Sequence, residues 1–539
     1  MSFSAEPHQL LDSLDDQQRA AAMTLHGPVC ILAGAGSGKT RTISHRIAYG
    51  IDQGIYAPNR VLALTYTNRA ASELRQRLRL LGAAGVQVRT VHSAALSQLQ
   101  FFWPQLTSGL APKLMTSKLP AIKEVLKERR IELRDEEVRN LIAEIEWVRY
   151  SMVDPAGYLE LEREVPGIAP ERFLEIFEDY QRLKQKRRVV DWEDVIALTT
   201  GLLRNEQRML EHVTQQYRHL TVDEYQDVSP LQQSLIETWL GEREELCVVG
   251  DPRQAIYGFA GADARFLTQF ESRFPQAQVF ELNANYRSSH EIVALANRIS
   301  QHGALEPMRS ISQPIMRFEA ASALAEAKTV AKEISKLLDS GYAPTEIAVL
   351  SRINGQLEQV ERELAGLGVA TQVRGAGRFF SYPDVMRAMT AIRALALGQS
   401  SEPLFIQVSE IISALGWSSK AEQTESWMRL NWFVEVLDEL GSPSLDEYLR
   451  ELGERERSGD EPISQAVTLA TIHATKGLEW RSVFLIGLNQ GLFPISYAKS
   501  EAELAEEKRL FYVGVTRAKD LLTISSIKDR EPSEYLDLV

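Results

Sequence analysis

The feature that most constrains this chain is the run Ala33-Gly34-Ala35-Gly36-Ser37-Gly38-Lys39-Thr40, set between a short apolar stretch and a helical pattern. Val29-Cys30-Ile31-Leu32 has the length and apolarity of a buried strand, and helical spacing begins at Lys39. Small residues at such a junction let backbone N–H groups wrap an anion at a helix N-terminus. Lys39 is then placed to meet β- and γ-phosphate charge, and Thr40 offers its hydroxyl to Mg²⁺. The run is a P-loop with Ala33 where the strictest pattern has Gly, and the residues from Gly34 to Arg41 are the expected nucleotide contacts. A glycine-rich turn without a ligand is the rival reading. Placement after a strand and before a helix counts against it.

Further short β-rich runs follow at Val61-Leu62-Ala63-Leu64, Leu220-Thr221-Val222 and Leu246-Cys247-Val248-Val249. Continuous apolar runs of this length, separated by helical stretches, imply a buried parallel sheet with helices on both faces. Residues 94–190 are rich in Leu, Glu, Lys and Arg at helical spacing and read as a helical insertion. The α/β pattern resumes with Ile347-Ala348-Val349-Leu350 and Ser482-Val483-Phe484-Leu485-Ile486. Between them, 387–466 is a second helical stretch, closed by a loop-like segment carrying Ser458, Gly459, Asp460 and Pro462. The expected organisation is an α/β fold with two sheet domains, 1–93 with 191–280 and 281–386 with 467–539, each carrying one of the helical insertions.

Composition removes several classes. At 539 residues the chain is too long for one core. No apolar run approaches the roughly 18 residues that span a bilayer, and the opening MSFSAEPHQLLDSLDD has neither the basic start nor the apolar core of a signal peptide. Two distant cysteines, Cys30 and Cys247, give no disulfide framework and no four-cysteine zinc site. A cytoplasmic, nucleoid-associated protein with no membrane partner is expected. The net charge of −13 runs against a nucleic-acid partner, but binding to phosphates depends on the local field of one groove.

A phosphate loop that supports hydrolysis needs a metal carboxylate and a base. Asp223-Glu224 follows the run ending at Val222, so both side chains should emerge at the carboxyl edge of the sheet beside the phosphates. Asp223 would hold Mg²⁺ and Glu224 would orient and polarise the attacking water. An isolated Asp-Glu pair is usually a solvated surface pair; the preceding strand and the following Tyr225-Gln226 favour the chemical reading.

Asp223-Glu224-Tyr225-Gln226-Asp227 resembles the second motif of the UvrD/Rep/PcrA group of superfamily 1 helicases (SF1A), and the group's other motifs occur in order. Leu14-Asp15-Asp16-Gln17-Gln18 resembles the Q motif, the segment from Leu64 to Ala71 motif Ia, and Thr90-Val91-His92-Ser93 motif Ib. The segment from Val249 to Tyr257 resembles motif III and Asn285-Tyr286-Arg287-Ser288 motif IV. The segment from Thr471 to Glu479 resembles motif V, and that from Tyr512 to Lys519 motif VI.

The resemblance implies two RecA-like domains facing each other, with ATP and Mg²⁺ between them. It assigns Gln18 to the adenine edge, Tyr286 to its face, Glu479 to the ribose and Gln254 to the γ-phosphate. Arg287 and Arg517 become arginine fingers, and guanidinium donors that arrive only when a cleft closes would couple hydrolysis to domain motion. Single-stranded DNA, and its junctions with duplex, would be the track. Thr65, Tyr66, Thr67 and His92 would line it, Tyr257 and Phe259 would stack on bases, and Arg352, Asn354 and His473 would contribute from the second domain. Movement 3′ to 5′ along the strand, a role in repair or replication and repair-protein partners are likewise implied.

The sequence also departs from the family pattern. Ala260 stands where many relatives have Arg, Pro252-Arg253 replaces an acidic pair before Gln254, and Trp480 follows Glu479 where Phe or Tyr is common. The second insertion is shorter than the family's usual one, which contacts duplex. Among UvrD-like proteins the chain is similar to the core of the second such helicase of actinobacteria. Those carry a cysteine-rich linker and an HRDC domain after motif VI, and neither is expected before Val539. A non-motor DNA-binding scaffold and the motor subunit of a helicase–nuclease complex are the alternatives. The first requires decay that spared Lys39, Thr40, Asp223, Glu224, Gln254, Arg287 and Arg517 together. RNA as the main track is disfavoured only by analogy.

Overall fold

The computed structural model describes residues 10–106, 109, 111–115, 117–161, 163, 165–300, 303–374, 378–398, 402–418, 424–441, 443–458 and 465–539. The first nine residues of the opening segment and the loop read at Gly459, Asp460 and Pro462 lie outside the described residues. Two compact units form: 1–33 with 38–282, and 283–539 together with 34–37.

The first unit is built on six strands: β1 Val29–Ala33, β2 Val61–Thr65, β3 Gln87–Thr90, β4 His219–Val222, β5 Leu246–Gly250 and β6 Gln278–Leu282. They pair in the order β3-β2-β4-β5-β1-β6, every pair parallel. Alternation between two covered faces explains why β1, β2 and β5 are apolar almost throughout. Val29, Ile31, Val61, Ala63, Cys247 and Val249 enter one apolar cluster with Ile43 and Ile47 of the helix Lys39–Asp52. Cys30, Leu62, Leu64, Leu246 and Val248 enter another, on the opposite face. Each fully buried Val, Leu or Ile contributes about 1.5–3 kcal/mol, and with both faces covered these three strands are apolar except at Thr65, whereas the edge strands β3 and β6 carry Gln87, Arg89, Gln278 and Glu281.

The helix Val91–Leu106 also belongs to the sheet, since Val91, Ala94, Ala95, Leu96, Leu99 and Phe102 join its second cluster. The boundary expected at residue 94 therefore falls inside a core helix. A separate helical cluster holds Ala121, Ile122, Leu141, Ile145, Phe173, Ile176 and Tyr180. A two-strand pairing of Lys113–Leu114 with Val189–Val190 lies within the stretch read as helical.

The second unit repeats the scheme with β7 Met316–Ala320, β8 Ile347–Ser351, β9 Thr371–Arg374, β10 Val467–Thr471, β11 Trp480–Leu485 and β12 Ala518–Ile527. Their order is β7-β12-β11-β8-β10-β9, again parallel throughout. A helical cluster of its own runs from Phe379 through Ile412, Phe433 and Tyr448 to Leu452. It starts before the expected boundary at 387, which falls inside the helix Pro383–Ala394.

Candidate nucleotide and strand sites

In the first unit, parallel strands deliver the candidate residues to one edge, except Gln18, which comes from the helix Asp16–Met23. β1 runs into the phosphate loop, β4 into Asp223-Glu224, β5 into Asp251 and Gln254, β2 into Tyr66 and β3 into His92. Carboxyl edges of parallel strands are where α/β sheets hold ligands. The helix Lys39–Asp52 starts at Gly38, whose left-handed φ of 82° lets the chain turn its N–H groups toward the loop. A Cβ at Gly38 would lie 2.7 Å from Nε2 of Gln18, so the Q-motif amide sits directly over the loop. Gln18 is held there by a reciprocal cap, in which its N–H donates to the Asp15 carboxylate and its Oε1 accepts from the Asp15 N–H. Arg41 donates to the Ser13 carbonyl, 2.6 Å away, and ties the same segment down. Lys39 Nζ donates to the Ala33 carbonyl at 3.2 Å, and the Ser37 hydroxyl to that of Gly34 at 2.8 Å.

Asp223 and Gln254 are buried and Glu224 half-buried, and a short polar network connects them. Gln226, fully buried, donates through Nε2 to the Glu224 carboxylate and to Asp227, and its Oε1 accepts the Asp251 N–H at 3.1 Å. Asp251, also fully buried, accepts from Gln254 Nε2 at 2.8 Å and from Arg253 Nε at 2.8 Å. Gly250 is required between these groups, because a Cβ there would lie 2.4 Å from Gln226 Oε1. Arg253, which replaces an acidic residue of the family pattern, thus neutralises a buried carboxylate. Glu224 itself has φ 53°, a left-handed conformation that costs a non-glycine residue about 1–3 kcal/mol. Strain at a residue fixed on both sides is common where chemistry dictates the geometry.

Burial, reinforced by the neighbouring Glu224 and opposed by Lys39, pushes the Asp223 carboxyl up to about 7. A divalent cation relieves that crowding of negative charge. The available donors are hard oxygens, the Asp223 carboxylate and the Thr40 hydroxyl, and they fit Mg²⁺, which takes one or two protein oxygens and completes its shell with phosphate and water. Among the described residues no group of three or more His, Cys, Asp or Glu side chains forms a metal cage, so such an ion would depend on the nucleotide for the rest of its ligands.

In the second unit the nucleotide candidates collect at the amino edge of the sheet. Glu479 directly precedes β11 and Arg517 directly precedes β12. Arg287 Nε lies 2.5 Å from Glu479, and Lys519 Nζ lies 2.7 Å from its other oxygen. Burial acts upward on the Glu479 carboxyl, but Arg287 and Lys519 outweigh it and hold it below the usual carboxylate range. A cavity of about 460 Å³ opens beside Tyr286, Arg287, Glu479 and Lys519. Tyr286 is 42% exposed, which leaves its ring accessible to a ligand. Arg517 is 1% exposed, with Nε donating to the Val513 carbonyl and Nη1 to that of Leu478, both at 3.1 Å.

The strand candidates divide by exposure. Tyr66, 42% exposed, stacks on Tyr257 with ring centres 5.4 Å apart, and Tyr257 meets Phe259 edge-on at 6.1 Å. Phe259 is 56% exposed, and the three rings form one apolar shelf. Thr67 is exposed and caps the helix Asn68–Leu80, whereas Thr65 is buried and its hydroxyl donates to the Thr67 carbonyl, so it shapes the loop from inside. His92 Nε2 lies 2.9 Å from the Tyr150 hydroxyl, and its ring packs edge-on to Trp192. In the second unit Asn354 is exposed. Arg352 is held by both oxygens of Glu507, with Nη2 2.8 Å from Oε1. Burial first, and the Arg352 charge second, lower His473 to about 3, so its ring is neutral at physiological pH.

Comparison with known proteins agrees with this geometry. The chain matches the UvrD/REP helicase N-terminal domain over residues 14–275 and the UvrD-like helicase C-terminal domain over 280–418 and 397–529. It is 38% identical, over 99% of its own length and 81% of the relative, to the ATP-dependent DNA helicase UvrD2 of Mycobacterium tuberculosis. The chain belongs to the UvrD/Rep helicase family. Similarity extends to the ATP-dependent DNA helicases PcrA of Staphylococcus epidermidis and Bacillus subtilis, at 28% and 27% identity over 97% of the chain and 84% of each relative. The superfamily 1 assignment and the α/β fold with RecA-like sheets expected from the motifs both hold. As a UvrD/Rep-type helicase the chain is an ATP-using enzyme of the DNA helicase class. No helix among the described residues is long and apolar enough to cross a membrane.

Sequence reasoning missed several residues that hold this UvrD/Rep-type site together. Gln226 and Asp251 lie inside the quoted motifs, just beyond the apolar strands ending at Val222 and Gly250, and that position was a readable signal. Tyr150 and Glu507 are far in sequence from His92 and Arg352 and carried no local signal at all.

Proposed function

We propose that this chain is a single-stranded-DNA-stimulated ATPase that moves 3′ to 5′ along its track and separates duplexes at junctions, in repair or replication. One observation carries the reading. The base candidate Glu224 and the sensor candidate Gln254 share one buried network through Gln226 and Asp251, and the aromatic shelf begins at Tyr257, three residues beyond Gln254. A change at the γ-phosphate therefore has a path of a few bonded groups to the bases.

On this reading the loop from Gly34 to Thr40, with Gln18 and Arg41, binds ATP, and Thr40 and Asp223 hold Mg²⁺, which supplies charge neutralisation at the phosphates. Glu224 orients and deprotonates the attacking water. Tyr286 and Glu479 hold the adenosine, and Arg287 and Arg517 stabilise the charge on the transferring phosphoryl. Tyr66, Thr67, His92, Tyr257 and Phe259, with Arg352, Asn354 and His473, grip the strand, while Thr65 supports it. The helical clusters around Ile145 and around Phe433 correspond to the family's two insertions, the second of them reduced.

Strand displacement from a duplex with either a 3′ or a 5′ single-stranded tail tests the proposal. ATP-dependent displacement of the 3′-tailed substrate alone is expected. Preference for the 5′ tail would overturn the polarity, and no movement on either substrate would overturn the motor.

A further inference from the structure

Arg309 lies outside every motif of the family pattern, yet it sits where motifs IV and VI meet. The short pairing of Ala284–Asn285 with Glu306–Pro307 brings it there, continued by the Met308 N–H donating to the Asn285 carbonyl at 2.9 Å. One guanidinium then makes three bonds. Nη1 donates to the carbonyl of Arg287 at 2.5 Å and to that of Lys519 at 3.1 Å, and Nη2 donates to Asp520 Oδ1 at 2.8 Å. The other oxygen of Asp520 accepts Arg481 Nε at 2.9 Å, so the carboxylate is itself fixed. Burial acts upward on Asp520, but Arg481 and Arg309 outweigh it and keep it ionised.

The two backbones that Arg309 spans carry the arginines that the proposed function needs. Arg287 is the residue whose carbonyl it grips, and Arg517 lies two residues before Lys519. Other bonds close the same seam: Ser288 Oγ donates to the Ala518 carbonyl at 2.7 Å, and the Ser289 N–H donates to that of Lys519 at 2.8 Å. These bonds join backbone to backbone or to a short hydroxyl, and the Arg287 guanidinium itself donates to the Thr516 carbonyl at 3.3 Å. Arg309 adds a second charged, planar group, one that holds the main chain of both motifs and is anchored on an ionised partner.

We infer that Arg309 is a positioning residue for ATP hydrolysis, setting Arg287 and Arg517 in one rigid frame by bracketing motif IV against motif VI. The inference rests on reading Arg287 as the group that stabilises phosphoryl charge. Arg309 also borders the cavity beside Tyr286 and Glu479, but its three bonds go to protein groups, and the inferred role runs through the main chain of Arg287.

The test is a double-mutant cycle read as kcat and KM for ATP at saturating single-stranded DNA, with DNA affinity and thermal midpoint measured for each variant. Arg309→Ala is expected to lower kcat about tenfold while ATP KM and DNA affinity change by less than about twofold. In an Arg287→Ala background the same substitution should lower kcat by less than about twofold, because the residue through which it acts is gone. Arg309→Lys should fail to restore kcat, since an ammonium cannot reproduce the fork. Multiplicative effects in the cycle, or full rescue by Lys, would overturn the inference. If Arg287→Ala alone leaves kcat intact, the arginine-finger reading itself fails, and the inference falls with it. Should Arg309→Ala not fold, Asp520→Asn releases the anchor instead and should show a smaller kcat loss that likewise vanishes in the Arg287→Ala background.

Discussion

The two sheets of this helicase place their candidate site residues differently. In the first unit, nucleotide and strand candidates share the carboxyl edge of one sheet, and two buried residues, Gln226 and Asp251, connect Glu224 to Gln254 just before the aromatic shelf. In the second unit they lie at opposite edges. Glu479 and Arg517 precede β11 and β12, whereas Arg352 and His473 follow β8 and β10. Communication within the first unit is therefore local and polar, while in the second it must pass along whole strands and helices, which move as rigid bodies. The difference teaches where single substitutions should uncouple the activities and where they should abolish just one of them.

The largest effect is expected in the second unit. Arg287→Ala should lower kcat about 10³-fold or more and leave DNA affinity unchanged, because its edge carries no strand contact; a parallel loss of DNA binding, measured by fluorescence anisotropy, would erase the contrast. In the first unit, Glu224→Gln should lower kcat by about 10²–10⁴-fold while ATP still binds, as nucleotide titration would show. Phe259→Ala should weaken single-strand binding by about 1–3 kcal/mol with DNA-free hydrolysis preserved. Unchanged affinity would return Phe259 to a packing role. Gln226→Ala leaves the Asp251 N–H without its acceptor and should cost about 1–3 kcal/mol of stability in chemical denaturation, with ssDNA stimulation reduced as well. The smallest effect belongs to His473. Held neutral by burial and by Arg352, it carries no charge between pH 6 and 8, so His473→Gln should leave the slope of log K against log salt unaltered. A fall of about 0.7 would mean that the ring is cationic on the strand.

Much of this was legible in the chain itself. The P-loop, the paired carboxylates and the strands of both sheets follow from alternation and from small-residue spacing, which are local properties. Insertion boundaries were less legible. Helices such as Val91–Leu106 and Pro383–Ala394 carry the same apolar periodicity whether they cover a sheet or start a separate cluster, and only tertiary packing decides between those fates. The clamp of Glu507 on Arg352 and the bracket of Arg309 join residues far apart in sequence. Periodicity is silent about such pairs, and so it could not show that Arg352 is already ion-paired or that Arg517 is wholly buried.

The departures from the family pattern also gain a physical sense. Arg253 pairs with buried Asp251, so the change from an acidic residue leaves the motif III turn neutral at its centre. Ala260 ends the turn that presents Phe259 and adds no charge beside it. On the proposed reading, strand contact in this region would depend on ring stacking more than on ion pairing.

The most direct test of the central claim is the rate of steady-state ATP hydrolysis with and without single-stranded DNA, measured for the wild-type chain and for Gln254→Ala at low salt with Mg²⁺. The network between Glu224 and the aromatic shelf requires stimulation of about tenfold or more in the wild type, equivalent to about 1.4 kcal/mol of barrier, and little or none in the variant. Wild-type hydrolysis indifferent to DNA, or a variant stimulated as strongly as the wild type, would contradict it.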